Sequence, residues 1–298
     1  MQVSIIIVTY NTLQMTKECI DSVVDKTKDV EYEIILVDNA SSDGSKEFFE
    51  KDIRIKYVYS EENLGFGRAN NLGFQYSAGK YIFLLNSDTL LINNAIYDFW
   101  KYMEEKADAN LACLGCQLVN ADLRPIHSSG AFPGVKQFAD RILNFTFWEL
   151  YRVFKKEEKS ILHDIDVDYI TGADLFIRRT VIEQCGMFDP DFFMYFEETE
   201  MQYRFAKAGY KRRIITDPQI IHLVGASYKK KNHSLKGVIR EMKSRYIYCQ
   251  KTKSTLTGKL IAVMHLLMVP RVLLSRAPLC ERKELINLIL KNIISIVR

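Results

Sequence analysis

Residues 3–11 read VSIIIVTYN, a nearly continuous run of β-branched residues that stops at the polar triplet Thr9-Tyr10-Asn11. A helical pattern of apolar residues follows at residues 15–23, and a second apolar run, residues 34–37, ends on Asp38. Strand, helix and strand in this order, with strands that do not alternate in polarity, favour a parallel sheet covered on both faces. The sequence therefore predicts an α/β fold with a mostly parallel, Rossmann-like sheet flanked by helices.

A third apolar run, YIFLL at residues 81–85, ends on Asn86-Ser87-Asp88. A carboxylate at the end of a buried strand occupies the usual ligand position of an open α/β sheet. Because Mg²⁺ and Mn²⁺ prefer carboxylate and phosphate oxygens, Asp88 is a candidate to hold a divalent cation against a diphosphate. The alternative is an ordinary polar turn, since Asn, Ser and Asp commonly form turns.

A glycine-containing segment, NLGFGRANN at residues 63–71, lies between the second and third apolar runs. The pattern predicts the start of a helix that Gly79 closes before the next strand. A dinucleotide-binding loop is disfavoured, because Gly65-x-Gly67-x-x-Asn70 lacks the third glycine and because Asp88, about twenty positions further on, has metal-type neighbours. A nicotinamide oxidoreductase is therefore only a weak alternative on fold.

Four motifs occur in order, namely SIIIVTYN at 4–11, IILVDNASSDGS at 34–45, ENLGFGRANNLGF at 62–74 and FLLNSDTLL at 83–91. Together they resemble a family 2 glycosyltransferase with the GT-A fold, in a pattern most similar to rhamnosyltransferase-like bacterial members. Downstream, residues 171–179 resemble the acceptor-side strand of that group, 188–200 its catalytic segment and 222–227 its late metal-binding turn. The resemblance covers about residues 3–228.

The resemblance implies transfer of a sugar from a nucleoside diphosphate to an acceptor hydroxyl, with inversion at the sugar. It also implies Mg²⁺ or Mn²⁺ as cofactor, with Asp88 as its first ligand and His222 as its second, and it places Asn86 near the donor ribose or sugar. A metal-bound diphosphate is a good leaving group, so no general acid is needed. The alternative for His222 is a buried histidine bonded to the backbone.

Two adjacent carboxylates, Glu197 and Glu198, stand at the start of a helix predicted to run to Lys207 and to stop at Gly209. A helix N-terminus favours the ionised carboxyl group, which suits a general base, although acidic residues in a first turn are commonly mere dipole partners. By resemblance Glu198 is the base. The family usually has Asp here and two residues later, where this chain has Glu198 and Glu200, so Glu197 is the alternative base.

Asp38 is the predicted nucleobase contact, because a carboxylate can accept the imide N–H of uracil or thymine. This predicts a donor of the UDP or dTDP type, with dTDP-rhamnose as a candidate. The alternative for residues 38–45 is a capped loop, with Ser42 or Asp43 as the N-cap of the next helix. The other residues predicted to contact substrates are Thr9, Tyr10, Asn11, Asn63, Gly65, Arg68, Asn70, Ser87, Gly172 and Ala173.

Charge is distributed unevenly along the 298 residues. Residues 229–298 contain 16 Lys or Arg and 3 Asp or Glu, a net charge of +13, which leaves −9 on residues 1–228 from the total of +4. A basic region beside an acidic body indicates an anionic partner, either a membrane surface or a polyprenyl-linked acceptor. Nucleic acid is disfavoured, since the basic region is rich in apolar residues and carries no nucleic-acid-binding motif.

We therefore expect a GT-A catalytic domain over residues 1–228, with a nucleotide-binding half over about 1–118 and an acceptor half over about 119–228. A basic, amphipathic helical region follows over residues 229–298. Within it, residues 260–274 fall short of the roughly twenty residues that span a bilayer. Residues 284–298 have polar residues at helical spacing, which predicts a broad apolar face on a membrane interface or on another subunit, or docked onto the catalytic domain.

Six cysteines lie in apolar surroundings, and the sequence opens on a strand without a basic, cleavable signal, which predicts a reducing cytoplasm. Cys113 and Cys116 have the spacing of a redox or zinc pair, but their surroundings are typical of a buried strand. The combined prediction is an inverting, metal-dependent glycosyltransferase that is peripheral to the inner face of the cell membrane and acts on a cell-surface glycan or lipid-linked acceptor. The alternative is an inactive, donor-binding scaffold, which the glutamates at 198 and 200 favour.

Overall fold

The computed structural model describes residues 1–135, 138–139, 142, 160–223, 235–252 and 255–297, with side chains up to residue 291 except those of residues 255 and 256. The part of the predicted metal-binding turn after Leu223 lies outside these residues. The end of the apolar face predicted over residues 284–298 also lies outside the described side chains.

The strands of the described chain are β1 (Val3–Thr9), β2 (Tyr32–Asn39), β3 (Lys56–Ser60), β4 (Tyr81–Asn86), β5 (Thr89–Leu91), β6 (Leu111–Cys116), β7 (Ser129–Gly130), β8 (Ile165–Val167), β9 (Tyr169–Ile170), β10 (Asp174–Arg178), β11 (Lys211–Ile215) and β12 (Ile220–His222). The helices are α1 (Leu13–Lys26), α2 (Ser45–Phe49), α3 (Phe66–Gln75), α4 (Ala95–Glu105), α5 (Arg179–Cys185), α6 (Glu197–Lys207), α7 (Lys236–Thr252), α8 (Thr255–Met264), α9 (Val269–Leu274) and α10 (Leu279–Val297), and a 3₁₀ turn, His265–Met268, joins α8 to α9.

The main sheet has eight strands in the order β3-β2-β1-β4-β10-β6-β11-β8. The pairs β2–β3, β1–β2, β1–β4 and β6–β11 are parallel, whereas β10 runs antiparallel between β4 and β6, and β8 is antiparallel to β11. Two small antiparallel sheets pair β12 with β5 and β9 with β7. This pairing confirms the predicted α/β fold with a mostly parallel sheet.

The central strands bury both faces, which explains why their sequences lack alternation. Ile5 and Ile7 of β1 belong to one apolar layer, which also holds Phe99 of α4. Ile6 belongs to the opposite layer, which holds Ala69 of α3 and Met201 of α6. Apolar side chains on both faces therefore bury β1 inside the sheet, and its parallel pairing with β4 brings the carboxyl ends of the two strands side by side.

Some local predictions were accurate and others were wrong. Helix α6 spans Glu197–Lys207 as predicted, and Gly209 follows it at φ +89°. Gly79, however, does not close α3, which ends at Gln75. A Cβ placed on Gly79 would lie 2.4 Å from the Ser4 nitrogen, so this glycine allows close approach to β1. The N-cap residue of α2 is Gly44, while Asp43 accepts a hydrogen bond from the Ser45 hydroxyl at 2.6 Å.

Two compact units divide the chain. The described residues of Met1–Ala131, Glu158–Phe193 and Glu197–Lys229 form the first, which we term the sheet unit. Those of Phe132–Glu157, Met194–Phe196 and Lys230–Arg298 form the second, the helical unit. The chain thus leaves the sheet unit for the three residues before Glu197 and then returns. The domain limits predicted at residues 118 and 228 stay predictions.

The helical unit has an apolar core of its own. Ile239 and Met242 of α7 share that core with Val272 of α9 and Leu285 and Ile289 of α10. The helical stretch Thr257–Leu274 is, by length and composition, apolar enough to cross a membrane, and 28% of it is buried. This stretch is three residues longer than the apolar segment 260–274 identified from the sequence, because α8 begins before residue 260, at Thr255.

Candidate active site

The carboxyl end of β1 leads into a network of hydroxyl groups. Thr9 is fully buried, and its Oγ1 lies 3.0 Å from the Thr12 hydroxyl and 2.8 Å from that of Thr16. The Thr12 hydroxyl lies 3.3 Å from that of Ser87. Thr9 therefore supports the beginning of α1, whereas Tyr10 is exposed to solvent.

Asn11 joins the start of α1 to the loop that follows β2. Its backbone, at φ +55°, donates to the Ser41 hydroxyl at 3.0 Å, and its side-chain oxygen accepts the Ser42 N–H at 2.7 Å. Asp43 accepts the Leu13 N–H at 2.9 Å. An open cavity of about 340 Å³ lies here, and its lining includes Asn11, Thr12, Leu13, Gln14, Met15 and Asp43.

Asp38 lies at the end of β2 and is fully buried. One carboxylate oxygen accepts the Ser41 N–H at 2.9 Å, and the other accepts the Tyr57 hydroxyl at 2.8 Å. Burial, reinforced by this hydrogen bond, raises the pKa of Tyr57, which therefore stays a donor. Because Asp38 is fully buried, its carboxylate must become exposed before a nucleobase can reach the predicted contact.

The glycine loop before α3 is shaped by asparagine side chains. Asn39 accepts the Leu64 N–H at 2.8 Å and donates to Asn63 Oδ1 at 3.1 Å, and that oxygen also accepts the Gly65 N–H at 2.9 Å. Gly65 has φ +79°, and a Cβ placed there would lie 2.1 Å from the Phe193 carbonyl oxygen. Any other residue at position 65 would therefore displace the segment that leads to α6.

Two predicted contacts on α3 have internal partners. Asn70 is buried, and its amide donates to the Phe66 carbonyl at 3.0 Å. Arg68 is exposed, and its Nε donates to the Leu64 carbonyl at 2.8 Å. Asn71, which the sequence analysis did not select, donates to the Phe188 carbonyl at 2.7 Å and accepts the Phe188 N–H at 3.1 Å. Asn71 thus fixes the start of the predicted catalytic segment.

Asp88 and His222 meet where β5 and β12 pair. The register aligns His222 with Thr89, and the Leu223 N–H donates to the Asp88 carbonyl at 2.9 Å. His222 Nε2 consequently lies 3.1 Å from Asp88 Oδ1. The side chain of His222 is 16% exposed and that of Asp88 is 9% exposed, so the pair is sheltered yet reachable. The contact suits a metal ligand and equally a structural histidine that is hydrogen-bonded to Asp88, so both roles of His222 stay predictions.

The chemistry of this pair fits a divalent cation that carries further ligands. Within the described ranges, no group of three or more His, Cys, Asp and Glu side chains is placed to hold a metal ion. One carboxylate oxygen and one imidazole nitrogen leave the other coordination positions to phosphate and water oxygens. Asp88 supplies the carboxylate through which Mg²⁺ in nucleotide enzymes is commonly bound together with substrate phosphates, whereas the imidazole of His222 is a ligand that softer divalent metal ions accept more readily.

Asn86 and Ser87 follow the buried part of β4 and contact two other parts of the fold. The Ser87 hydroxyl lies near that of Thr12, just before α1, and the Asn86 backbone bonds to the residue before β10. The Asn86 N–H donates to the Ala173 carbonyl at 3.0 Å, just before β10 begins. A Cβ placed on the neighbouring Gly172 would lie 3.2 Å from the Phe66 ring and 3.7 Å from the Glu198 Cβ. Gly172 therefore lets the start of β10, the glycine loop and the start of α6 approach one another.

The three glutamates at the start of α6 have different surroundings. Glu197 and Glu200 are buried, whereas Glu198 is partly exposed and accepts the Thr199 hydroxyl at 3.0 Å. Glu200 accepts two hydrogen bonds from Arg204 Nε, both at 3.0 Å. Glu198 is thus the most accessible of the three carboxylates, which fits the predicted base.

Arg204 gives Glu200 a structural role, because the two side chains form an ion pair. Its guanidinium also donates to the carbonyl oxygens of Cys185, Gly186 and Met187, the last two at 2.9 and 2.5 Å. These carbonyls end α5 and begin the segment that leads to α6. The Arg204 guanidinium donates to three carbonyl oxygens, and the Glu200 carboxylate is the counter-ion that holds it in place.

The backbone immediately before Glu197 is strained. Tyr195 has φ +75° and Phe196 has φ +69°, a region that bulky residues rarely adopt and that costs on the order of 1–3 kcal/mol per residue. Such strain persists only where neighbouring contacts enforce it. It is also common at functional sites, which agrees with the position of these residues beside the predicted base.

The family model of glycosyl transferase family 2 matches residues 4–186. Rhamnosyltransferase WbbL of Escherichia coli is 27% identical over 230 residues, which are 74% of this chain and 83% of WbbL. An uncharacterized glycosyltransferase of Rickettsia bellii is 38% identical over 107 residues, or 35% of this chain. The match covers only 15% of the length of the Rickettsia bellii protein. It covers 36% and 39% of the lengths of two other glycosyltransferases that this chain resembles.

The mannosyltransferase PcManGT of Pyrobaculum calidifontis, solved with GDP-Man and Mn²⁺, has a similar fold, with a TM-score of 0.58 at 15% identity over 98% of this chain and 86% of that one. The likeness confirms the predicted GT-A fold. The family model covers more than half of the residues, including the motifs that end β1, β2 and β4. This chain therefore belongs to glycosyl transferase family 2.

Proposed function

We propose that this chain is an inverting, metal-dependent glycosyltransferase that moves a sugar from a nucleoside diphosphate to a cell-surface glycan or lipid-linked acceptor. The observation that carries the proposal is the 3.1 Å approach of His222 to Asp88 at the end of the β4 strand. Two segments far apart in sequence thereby supply a carboxylate and an imidazole at the ligand-binding edge of the sheet.

Three side chains have distinct roles in the proposed reaction. Asp88 and His222 would hold Mg²⁺ or Mn²⁺, which supplies positive charge to a departing diphosphate. Glu198 accepts the proton of the acceptor hydroxyl as its oxygen bonds to the anomeric carbon, while the bond from that carbon to the diphosphate oxygen breaks. Inversion follows when the hydroxyl attacks from the side opposite the diphosphate. The α6 N-terminus favours the ionised Glu198 that this step requires.

The donor is proposed to be a UDP or dTDP sugar, with dTDP-rhamnose as the first candidate because a relative is named a rhamnosyltransferase. We place the nucleotide near the carboxyl end of β1, where a shallow, open depression lies beside Asn11 and Asp43. PcManGT was solved with GDP-Man, so GDP sugars belong in the same screen. Asp38 is the proposed nucleobase contact, and it predicts tighter binding of UDP and dTDP than of GDP.

A membrane surface is the proposed partner of the helical unit, at the inner face of the cell membrane. One face of Thr257–Leu274 exposes only apolar side chains, each between 43% and 86% exposed, at Leu260, Val263, Leu266, Leu267, Leu273 and Leu274. The opposite face is buried in the helical core through Ala262, Met268 and Val272. A helix packed along one side and apolar along the other suits an orientation parallel to the membrane surface.

Charge supports an anionic membrane as the partner. Lys259 is adjacent to the first residue of the apolar face, Arg271 lies within the same helical stretch and exposed Arg276 follows it. Each basic residue near an anionic surface contributes about 1 kcal/mol. A second copy of the chain is the alternative occupant of this face, and either would be compatible with a lipid-linked acceptor.

A screen of nucleotide sugars by thermal shift with Mn²⁺, followed by release of nucleoside diphosphate, tests the proposal. We expect at least one UDP or dTDP sugar to raise the melting temperature only when the metal is present, and to be turned over. Binding without turnover in the presence of acceptors would favour the inactive scaffold. No stabilisation by any nucleotide sugar would contradict both functions.

A further inference from the structure

We propose that Ser244 and Tyr248 of α7 are positioning residues for the reaction, because they hold the strained segment that immediately precedes the glutamates of α6. The Ser244 hydroxyl donates to the Met194 carbonyl at 2.7 Å. The Tyr248 ring lies 5.5 Å from that of Phe196, centroid to centroid. This inference rests on the proposed role of Glu198 as base.

Both contacts are made inside the helical unit. Met194–Phe196 belongs to that unit although the residues on either side belong to the sheet unit. Ser244 and Tyr248 are both buried, and they occur one helical turn apart on the same face of α7. The helix thus contacts both ends of a three-residue segment, its backbone at Met194 and its side chain at Phe196.

A third aromatic ring completes the contact. Phe138 lies 6.1 Å from Phe196 and 6.4 Å from Tyr248, so the three rings form one cluster. Aromatic pairs at these distances stabilise a defined ring orientation. The cluster contacts the Phe196 side chain, and the Ser244 hydrogen bond holds the Met194 carbonyl. The two residues with positive φ, Tyr195 and Phe196, are thus held at the peptide before the first and at the side chain of the second.

The consequence for catalysis follows from the covalent chain. Phe196 is bonded to Glu197, the first residue of α6, and Glu198 is the next residue. On the other side, Phe193 accepts the Phe66 N–H at 2.9 Å within the sheet unit. If the contacts from α7 are lost, residues 194–196 can relax to ordinary φ angles, and the first turn of α6 moves with them. A displacement of about 1 Å at a reacting group costs up to roughly 10²-fold in rate.

The test compares Ser244→Ala and Tyr248→Leu with two controls. Tyr248→Phe retains the ring, and Ser275→Ala removes a similar bond in the same unit, from the Ser275 hydroxyl to the Val272 carbonyl at 2.8 Å. We expect Ser244→Ala and Tyr248→Leu to lower kcat about 10- to 100-fold with donor KM and donor-binding stoichiometry unchanged. Both controls should stay within about threefold of the wild type.

Hydrogen exchange measured by mass spectrometry on the peptide around residues 188–200 supplies a readout that does not depend on activity. Exchange there should rise in Ser244→Ala and Tyr248→Leu but not in the controls. Unchanged exchange and kcat in both variants would overturn the inference, as would a loss of kcat matched by an equal loss of bound donor, which indicates misfolding. A wild-type protein that transfers no sugar but shows the expected exchange pattern would contradict only the proposed function.

Discussion

At the scale of single residues, Glu198 differs from its neighbours in accessibility. Glu197 is buried and Glu200 is bound by Arg204, whereas Glu198 is partly exposed beside Gly172. We expect Glu198→Gln to keep donor affinity and to lower turnover by about 10² to 10⁴. Steady-state transfer assays with parallel donor titrations measure both quantities. If Glu197→Gln is the inactive variant and Glu198→Gln stays active, the base is Glu197.

The metal pair gives a second prediction at this scale. Asp88→Ala and His222→Ala each remove one of the two proposed metal ligands and should abolish Mn²⁺-dependent donor binding while the protein stays folded. Calorimetric titration of donor with Mn²⁺ and with a chelator measures the effect, and His127→Ala, which changes a histidine elsewhere in the sheet unit, is the control. Chelator-insensitive turnover in the wild type and both variants would remove the metal assignment.

At the scale of secondary-structure elements, β10 begins with a buried acid. The Asp174 carboxylate accepts the Cys116 N–H at 2.6 Å, and burial raises the pKa of Asp174 to about 8. Between about pH 4 and pH 8 the unfolded chain loses this proton whereas the folded chain keeps it, so the free energy of unfolding falls as pH rises.

Asp174→Asn removes the titrating group at nearly constant shape. We expect urea unfolding of the wild type to show a loss of a few kcal/mol between pH 5 and pH 8, and the variant to lack most of that loss. Asp166→Asn, at an exposed position of the edge strand β8, serves as the control and should keep the decline. An equal decline in the wild type and in Asp174→Asn would show that another group causes it.

Elements with strong local signals were predictable from the sequence. The β1, β2 and β4 strands are buried apolar runs that end at polar residues, and α6 has acidic residues in its first turn and Gly209 after its last turn. Asp88 and His222 could be paired only through a family resemblance. Nothing local marks Asn39 or Asn71, because each acts through a backbone group that is distant in sequence. Arg204 has a local signal in its i,i+4 spacing from Glu200, but nothing local predicts its bonds to the carbonyls of residues 185–187.

The role of Gly79 was wrongly predicted for a similar reason. A glycine after a helical pattern is commonly a C-cap, but this one is required by the Ser4 backbone of a neighbouring strand. Likewise, sequence motifs select Thr9 and Asn70 as candidate ligand contacts, whereas both are buried and bonded internally. Whether they also contact a donor stays a prediction. Motif membership does not distinguish a residue that touches a ligand from one that shapes the loop.

At the scale of the whole molecule, the basic helical unit presents an apolar face that should bind anionic vesicles. We expect a Leu267→Glu and Leu274→Glu double variant to lose flotation with such vesicles, because two charges replace exposed apolar side chains without entering the core. An Ile53→Glu and Leu162→Glu variant, which changes exposed residues of the sheet unit, is the matched control. Salt should weaken binding without abolishing it.

Retained flotation of the Leu267→Glu and Leu274→Glu variant would exclude this face as the membrane contact. Loss of dimer in that variant, with no vesicle binding by the wild type, would assign the face to a second copy instead. Donor hydrolysis should stay near the wild-type level in every case, since both positions lie outside the sheet unit.

The excursion of residues 194–196 into the helical unit has a consequence for biosynthesis. Met194 receives its hydrogen bond from a residue that lies 50 positions further along the chain. During translation the central strands can pair long before Ser244 leaves the ribosome, so a nascent chain would hold a paired sheet while its catalytic segment still lacked its support. Sugar transfer at its full rate would then begin only after α7 has left the ribosome and folded.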